Sequence, residues 1–363
     1  MSIFRSDRNK QTLNLNGELI SAEDIRKNRI ALPEEGIERD IFLFLKEWFD
    51  DSPLITVHTS GSTGIPKAMQ VEKDRMQASA EFTCKYLGLS ASSAALLCLP
   101  VSYIAGKMML VRALVCGFRL DTTEVNGYPL ADNDKLYDFV AMIPLQVYNS
   151  INDEVQKKRF ETIRNVIVGG AAIDHDLEER LRSFSNAVYS TYGMTETLSH
   201  IAMRRVSGIH ASYYYTPLDE VNLSLSDAGT LVISAPRVCP EILITNDCAE
   251  FNESGAFRVI GRADNVINSG GVKLHIEQIE SKIASLFTRN FVITSVPDKK
   301  LGEQVVLLYE EALEPAVLTE SFTRLLSRYE IPKQCFQIEH LPLTESGKIK
   351  RAECRKLAIE QFR

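Results

Sequence analysis

Apolar positions recur every three to four residues in some stretches of the chain and form short unbroken runs in others. These are the marks of helices packed by one face and of buried strands. Ile37, Ile41, Leu45 and Trp48 share one face of a helix predicted over residues 34–50. A strand is predicted over 12–20, and the run Leu54-Ile55-Thr56-Val57-His58 reads as a second, buried one. An amphipathic segment covers 73–87, and apolar strand-like runs follow at 94–99, 138–143, 165–168 and 187–189. Helical stretches at 104–117, 144–160 and 174–184 lie between them. Strands alternating with helices predict an α/β sheet that binds its ligands at the carboxyl ends of the strands.

From about residue 201 the texture changes to short alternating runs near 200–206, 221–225, 230–235 and 256–260, which predict a mainly antiparallel region. After Gly261 a second unit begins: a helix over 276–287, strands at 291–296 and 304–309, a helix over 317–328, a strand near 335–338 and a glycine-containing tail. A chain of 363 residues exceeds what one hydrophobic core usually serves. The expected fold class is therefore α/β. A large N-terminal domain, residues 1–262, holds α/β sheets plus an antiparallel β region. A small C-terminal α+β domain, residues 263–363, is joined to it by a hinge at Arg262-Ala263-Asp264.

Charge narrows the partners. The formal net charge is −7 with no long basic run, which argues against a nucleic-acid partner. No apolar stretch approaches the length of a membrane span, and residues 1–10 are polar and charged, so a cytoplasmic protein is expected. Seven cysteines, none in a C-x-x-C pair or metal-ligand spacing, read as buried thiols in a reducing compartment.

The first candidate chemistry is Thr59-Ser60-Gly61-Ser62-Thr63-Gly64-Ile65-Pro66-Lys67, directly after the 54–58 run. Its glycines allow close backbone approach, its hydroxyls and N–H groups supply donors, and Lys67 supplies a positive charge. That is the chemistry of a phosphate cradle. It is not a Walker A loop, because the second glycine required after Gly61 falls on Pro66. Val168-Gly169-Gly170-Ala171 ends a strand with two glycines, either as a plain strand-to-helix turn or to let adenine approach the backbone. Ser190-Thr191-Tyr192-Gly193-Met194-Thr195-Glu196-Thr197 follows another strand. There Tyr192 offers a flat face for a purine, Gly193 opens space, and Glu196 is a carboxylate suited to Mg²⁺ on a nucleotide.

The nine-residue loop resembles the phosphate-binding signature of the adenylate-forming superfamily of acyl-CoA ligases, adenylation domains and luciferases. The octapeptide 190–197 resembles that superfamily's second signature nearly letter for letter, and the two stand in the family's order. Thr245-Asn246-Asp247 resembles a third motif, whose aspartate holds the ribose hydroxyls; Asn246 replaces its glycine, and Asn tolerates positive φ. Gly261-Arg262-Ala263-Asp264 with Ser269-Gly270-Gly271-Val272-Lys273 resembles the hinge motif. There Arg262 would reach the ribose or phosphate, Asp264 would be the pivot, and Gly270 and Gly271 would line the thiol channel. Lys348, after Ser346-Gly347, matches the lysine that enters the active site during adenylation.

The resemblance spans residues 54–351 and implies a two-step reaction. A carboxylate attacks the α-phosphorus of ATP with Mg²⁺ to give an acyl-adenylate and pyrophosphate, and a thiol such as CoA then displaces AMP. Glu196 would hold the metal, Thr195 would supply a catalytic hydroxyl, Lys67 with the loop hydroxyls would hold the departing pyrophosphate, and Lys348 would bridge the incoming carboxylate and the α-phosphate. Within the superfamily the chain resembles the o-succinylbenzoate–CoA ligases of menaquinone synthesis. Other acyl- or aryl-CoA ligases, carrier-loading adenylation enzymes and a non-catalytic nucleotide-binding protein are the alternatives. Ser102-Tyr103-Ile104-Ala105-Gly106 stands where the closest ligases carry histidine at the tyrosine position. Tyr103, Gly106, Lys107 and His200 are therefore the candidate acyl-pocket residues. Lys107, His200 and Arg204 are candidates for a second substrate carboxylate, although His200 alone reads better as a satisfied core histidine. A homodimer would cover surface left bare by the short segment before the phosphate loop.

The resemblance makes Lys348 testable. Lys348→Ala is expected to slow adenylation by at least roughly 10²-fold, the scale of one preorganised donor. It should barely change thioester formation from supplied acyl-adenylate. Separate rapid-quench assays of the two half-reactions check this, and a full-rate first step overturns the assignment.

Overall fold

The structure is a computed structural model and describes residues 4, 7–58, 68–343 and 349–362. The expected phosphate-loop residues Thr59, Ser60, Gly61, Ser62, Thr63, Gly64 and Lys67, and the tail residue Lys348, lie outside the described residues. The chain forms two compact units: Met1–Leu223 with Ile233–Leu243 and Asn252–Phe257, and Ser224–Val232 with Ile244–Phe251 and Arg258–Arg363.

In the first unit, β1 (Thr12–Leu15) and β2 (Glu18–Ser21) precede helices α1 (Ala22–Arg26) and α2 (Gly36–Phe49). The expected single strand over 12–20 is thus a hairpin. Asn16 and Gly17, at φ 53° and 96°, make its two-residue turn, the left-handed pair that reverses a hairpin. Strands β3 (Leu54–His58) and β4 (Ala68–Glu72) pair antiparallel with each other. Strand β3, expected as a buried strand of the parallel sheet, instead belongs to a separate two-stranded antiparallel pair, and this corrects its expected setting.

The rest of the unit builds the main sheet. After α3 (Lys73–Leu87) come β5 (Ala94–Leu97), α4 (Ile104–Cys116), β6 (Arg119–Thr122) and β7 (Phe139–Met142). Then follow α5 (Pro144–Asn152), α6 (Glu154–Thr162), β8 (Asn165–Val168), α7 (His175–Leu181), β9 (Ala187–Gly193), β10 (His200–Arg205) and β11 (Thr216–Pro217). The sheet order is β11-β10-β9-β8-β7-β5-β6-β1-β2. Its central strands are parallel, while β2, β10 and β11 run antiparallel to their neighbours. From β5 the chain goes to β6 on one side and returns to β7 on the other. The crevice beyond the carboxyl ends of β5 and β7 is thus a topological switch point, where open α/β sheets bind ligands.

One core layer packs β5, β7, β8 and β9 against α5 to α7 through Leu96, Val140, Val147, Phe160, Val166 and Val188. The predicted helix over 144–160 is divided at Asp153, whose carboxylate accepts hydrogen bonds from Val155 and Gln156 N–H and starts α6. Such a side-chain cap favours restarting a helix over continuing one. At the other sheet edge, Trp48 of α2 is fully buried and its indole N–H donates to Gln11 Oε1 at 2.9 Å.

Strands β12 (Asn222–Leu225), β13 (Thr230–Ser234), β14 (Leu243–Phe251) and β15 (Phe257–Arg262) hydrogen-bond in chain order, and along them the chain passes between the units. The second unit continues with β16 (Val266–Ser269), β17 (Val272–His275), α8 (Ile276–Ile283), β18 (Phe291–Asp298), β19 (Gly302–Tyr309), α9 (Pro315–Leu325), β20 (Gln334–Gln337) and α10 (Arg351–Phe362). Ile293, Val305 and Leu307 face α8 and α9, whereas Val292, Val306 and Leu308 face Cys354 and Ala358 of α10. A sheet covered on both faces needs apolar residues at every position, which is how β18 and β19 read. The glycine-containing tail carries α10, for which the sequence pattern gave no helix, and this helix supplies the second cover. Arg351 of α10 makes a bidentate pair with Glu280 of α8, at 3.0 and 2.6 Å.

Among the described residues no helix is long and apolar enough to cross a membrane. All seven cysteines are free; Cys335 is exposed and the others are buried.

Gly106 shows how tightly the β5–α4 connection is built. A Cβ there would lie 2.7 Å from the Pro100 carbonyl carbon and 2.9 Å from Val101 N, both backbone atoms. Gly106→Ala is therefore expected to destabilise the protein by about 1–3 kcal/mol, the usual cost of overpacking. A lowered urea midpoint checks this; an unchanged one shows that the connection can relax.

Candidate active site

The glycine pair Gly169-Gly170 follows β8 at the carboxyl side of the sheet. A Cβ on Gly169 would lie 2.8 Å from Thr191 Oγ1. That hydroxyl donates to Val168 O at 3.1 Å, so Gly169 lets two strand ends close on each other. Gly170 has φ +84°, a region glycine adopts without the Cβ penalty. Ala171 is exposed beside them. These three residues form an open backbone ledge next to the end of β9.

The end of β9 turns back sharply into β10. The Thr197 hydroxyl accepts from Met194 N–H at 3.0 Å and lies 2.9 and 2.8 Å from the Met194 and Ser199 carbonyls. Leu198 takes φ +65° and is buried. Holding a leucine in that left-handed conformation is unfavourable unless its surroundings dictate it. The expected reason for Gly193 was space for a ligand. Its geometry gives another: a Cβ there would lie 2.6 Å from His200 Cα, so the turn closes only on a glycine. Thr195 is half-buried and Glu196 exposed at the tip. Among the described residues nothing hydrogen-bonds or ion-pairs with the Glu196 carboxylate.

Tyr192 belongs to an aromatic cluster. Its ring meets Phe257 edge-on at 5.2 Å between centroids and Tyr215 at 5.9 Å. The ring is thus held in place by packing, and it keeps partial exposure.

Of the expected pocket residues, Tyr103 is 46% exposed at the N-terminus of α4, beside the switch point. Lys107 is buried, and its ammonium donates to Thr56 O at 2.6 Å. Burial pulls its pKa down, against the opposing pull of Glu47. Lys107 therefore ties α4 to the β3 strand that leads into residues 59–67. Arg204 is committed elsewhere, in a bidentate pair with Glu178 at 2.7 and 2.5 Å and over the Tyr215 ring. His200 is a satisfied interior histidine, with Nε2 3.0 Å from Thr83 Oγ1 and Nδ1 3.3 Å from Ser199 Oγ. Burial, and then the charge of Arg112, hold its pKa well below the ordinary value.

In the second unit Asp247 lies inside β14 and its carboxylate faces Arg262, with Nη1 3.4 Å away. Arg262 Nε also donates to Asp264 Oδ1 at 3.1 Å. The motif carrying Asn246 in place of glycine needs no positive φ, because residue 246 sits in extended strand. Gly270 and Gly271, at φ 60° and 83°, form the two-residue turn between β16 and β17. The sequence reading passed over Arg112, although a lone cation within Met108-Met109-Leu110-Val111-Arg112-Ala113-Leu114-Val115 is itself a signal.

A doubly wound sheet with glycine-opened strand ends and a carboxylate-bearing turn beside its switch point defines a nucleotide-binding α/β enzyme. The chain belongs to the family described as AMP-binding enzyme, whose model matches residues 18–248, and with it to the adenylate-forming superfamily.

It is 35% identical to an acyl-CoA synthetase (AMP-forming)/AMP-acid ligase II-like protein from Dyadobacter fermentans, with a TM-score of 0.65 over 92% of this chain and 97% of that one. It is 26% identical over 333 residues to a 2-succinylbenzoate–CoA ligase of Staphylococcus epidermidis, covering 82% of this chain and 68% of the relative. The o-succinylbenzoate CoA synthetase of Bacillus subtilis, solved with the acyl-adenylate intermediate OSB-AMP, shares the fold at 21% identity, with a TM-score of 0.67 over 83% of this chain and 68% of that one.

The buried state of His200 has a pH consequence. Its folded pKa lies below the ordinary 6.5, so below that pH the unfolded chain binds a proton that the folded chain refuses. Stability from this group is complete above about pH 6.5 and falls by about 1.4 kcal/mol per unit as pH drops towards the folded pKa. Denaturation curves at pH 7.5, 6.0 and 5.0 should show this loss in the wild type, and His200→Gln should lack it. Parallel pH profiles in the two proteins overturn the assignment.

Proposed function

We propose that the chain is an ATP-dependent, AMP-forming acid–CoA ligase, that its acid is 2-succinylbenzoate, and that it acts in the cytoplasm in menaquinone synthesis. The observation that carries the reaction class is the β9–β10 turn, which carries Thr195 and Glu196 and continues the strand whose Thr191 closes on Gly169. The choice of acid rests on relatives from Staphylococcus, Geobacillus and Listeria at 23–26% identity, all named 2-succinylbenzoate–CoA ligase.

ATP, Mg²⁺ and the co-substrate CoA are implied. Among the described residues there is no group of three or more His, Cys, Asp or Glu side chains that could hold a metal. Mg²⁺ needs no such cage, since it is commonly held by one or two carboxylates together with substrate phosphates. Glu196, exposed and without a partner among the described residues, fits that manner of binding. Bound magnesium would neutralise triphosphate charge.

The chain's own residues position the reactants. The ledge at Gly169, Gly170 and Ala171 and the fixed ring of Tyr192 would flank adenine, Asp247 with Arg262 would take the ribose, and Thr191 would hold the ledge closed. Thr195 would donate to the α-phosphate, where the acid's carboxylate oxygen forms a bond as the bond to pyrophosphate breaks. By the family resemblance, residues 59–67 and Lys348 would hold the phosphates and the incoming carboxylate. The CoA thiol would then attack the acyl carbon, releasing AMP, with Gly270 and Gly271 along its path. Catalysis of this kind is chiefly orientation and charge stabilisation. Since Arg204 is committed to Glu178, a second substrate carboxylate would be met from the Tyr103–Lys107 side of the pocket.

AMP release from ATP, Mg²⁺ and CoA is expected with 2-succinylbenzoate, and not with benzoate, acetate, a medium-chain fatty acid or D-alanine. Turnover with another acid alone would overturn the choice of acid and keep the reaction class. No AMP release with any acid, while ATP still binds, would favour a nucleotide-binding protein.

A further inference from the structure

Arg112 is the least accountable charge in the first unit. It lies on α4, 2% exposed, with α4 otherwise apolar around it. Its Nη2 donates to Ser199 Oγ at 2.9 Å, its Nη1 lies 3.8 Å from Met109 Sδ, and its Nε has no hydrogen-bond partner among the described residues. No described carboxylate pairs with it. Burial pushes its pKa down to about 10, which still leaves it charged at neutral pH. Removing such a charge from water is costly unless it is paired, so a well-packed apolar side chain of similar size would serve stability at least as well.

What it touches is informative. The Ser199 hydroxyl, accepting from Arg112, has its proton left for His200 Nδ1 at 3.3 Å. On the far side of the ring, Thr83 donates its only hydroxyl proton to Ser79 O at 3.2 Å. His200 Nε2, at 3.0 Å from Thr83 Oγ1, must then be the protonated nitrogen. Hydrogen bonds therefore run in one direction from Arg112 to Ser199 to His200, and on through Thr83 to α3. Ser199 and His200 are also the residues that would collide with any side chain on Gly193, where the turn begins. The two ends of the turn are clamped there, and Thr195 and Glu196 stand at its tip.

We propose that Arg112 is the positioning residue for the ligand-binding turn: by fixing Ser199, and through it the neutral Nε2–H form of His200, it sets where Thr195 and Glu196 meet the metal-bound nucleotide. This rests on the ligase reading for what the turn binds. Arg112 itself touches neither nucleotide nor metal in this role.

The test compares full-length wild type with Arg112→Met, Arg112→Lys, Ser199→Ala and the Arg112→Met/Ser199→Ala double variant. Three quantities are read: the thermal midpoint, Mg²⁺-dependent ATP binding by calorimetry, and steady-state AMP release. Arg112→Met should keep or raise the thermal midpoint. Its affinity for ATP with Mg²⁺ should fall by about 10- to 100-fold, the scale on which residues supporting a ligand-bearing group act. KM for ATP should rise while KM for CoA stays unchanged.

Arg112→Lys should recover part of the loss. Ser199→Ala should lose affinity in the same direction, and the double variant should be no worse than Arg112→Met, because the two act as one unit. A folded Arg112→Met with wild-type ATP affinity overturns the proposal, as does strict additivity in the double variant. Should Arg112→Met fail to fold, wild-type ATP affinity in Ser199→Ala overturns it equally. Wild type that binds ATP but releases AMP with no acid defeats the ligase reading, and the binding measurements still decide the role of Arg112. Wild type that binds no ATP defeats both.

Discussion

The reversal of winding at β5 is the constraint on which the first unit depends. Because β6 and β7 lie on opposite sides of β5, the connections above β5 and β7 diverge and cannot fill the space between them. The strand ends on one side of this gap, β8 and β9, then carry glycines where backbone must approach backbone or a ligand. On its other side stands the tight Pro100–Gly106 connection with exposed Tyr103. A gap of this kind arises from topology, so it persists whatever side chains line it. Side-chain chemistry decides only what enters.

Polar groups in the interior of this unit hold backbone segments to one another. Lys107 holds α4 to the carbonyl of Thr56, and Thr191 holds β9 to the end of β8. Arg112, Ser199, His200 and Thr83 tie α4, the β9–β10 turn and α3 together. Each such bond adds little net stability, but leaving one of its members unpaired in the interior is costly. These ties therefore specify one arrangement of loops more than they strengthen the fold.

The sequence disclosed what local pattern could carry. The parallel strands β5, β7, β8 and β9 were legible as apolar runs, and the motifs at the ends of β8 and β9 stood out because glycines and hydroxyls interrupt those runs. Features that depend on partners distant in sequence were not legible. The Arg-Leu-Asp-Thr stretch of β6 looks polar and becomes a strand because β5 and β1 pair with both its edges. Helix α10 offers mainly Cys354 and Ala358 to its core, too small a stripe to announce a helix. The β1–β2 reversal at Asn16-Gly17 was visible but was absorbed into one strand over 12–20. The clamp around Ser199 needed α3, α4 and β10 in one place, and no spacing along the chain encodes that.

The division of the chain has a consequence for synthesis. The first unit is not one continuous stretch, since it also contains Ile233–Leu243 and Asn252–Phe257, and segments of the second unit lie between them. A nascent chain that has just released residue 223 holds the whole main sheet but lacks Phe257, the ring that packs on Tyr192 and stacks with Tyr215 at 5.6 Å. The aromatic wall beside the turn is therefore finished late, after the first strands of the second unit have left the ribosome. Co-translational folding of the two units is interleaved, and a premature stop before residue 257 leaves a complete main sheet in which Tyr192 and Tyr215 have lost the ring that backs them.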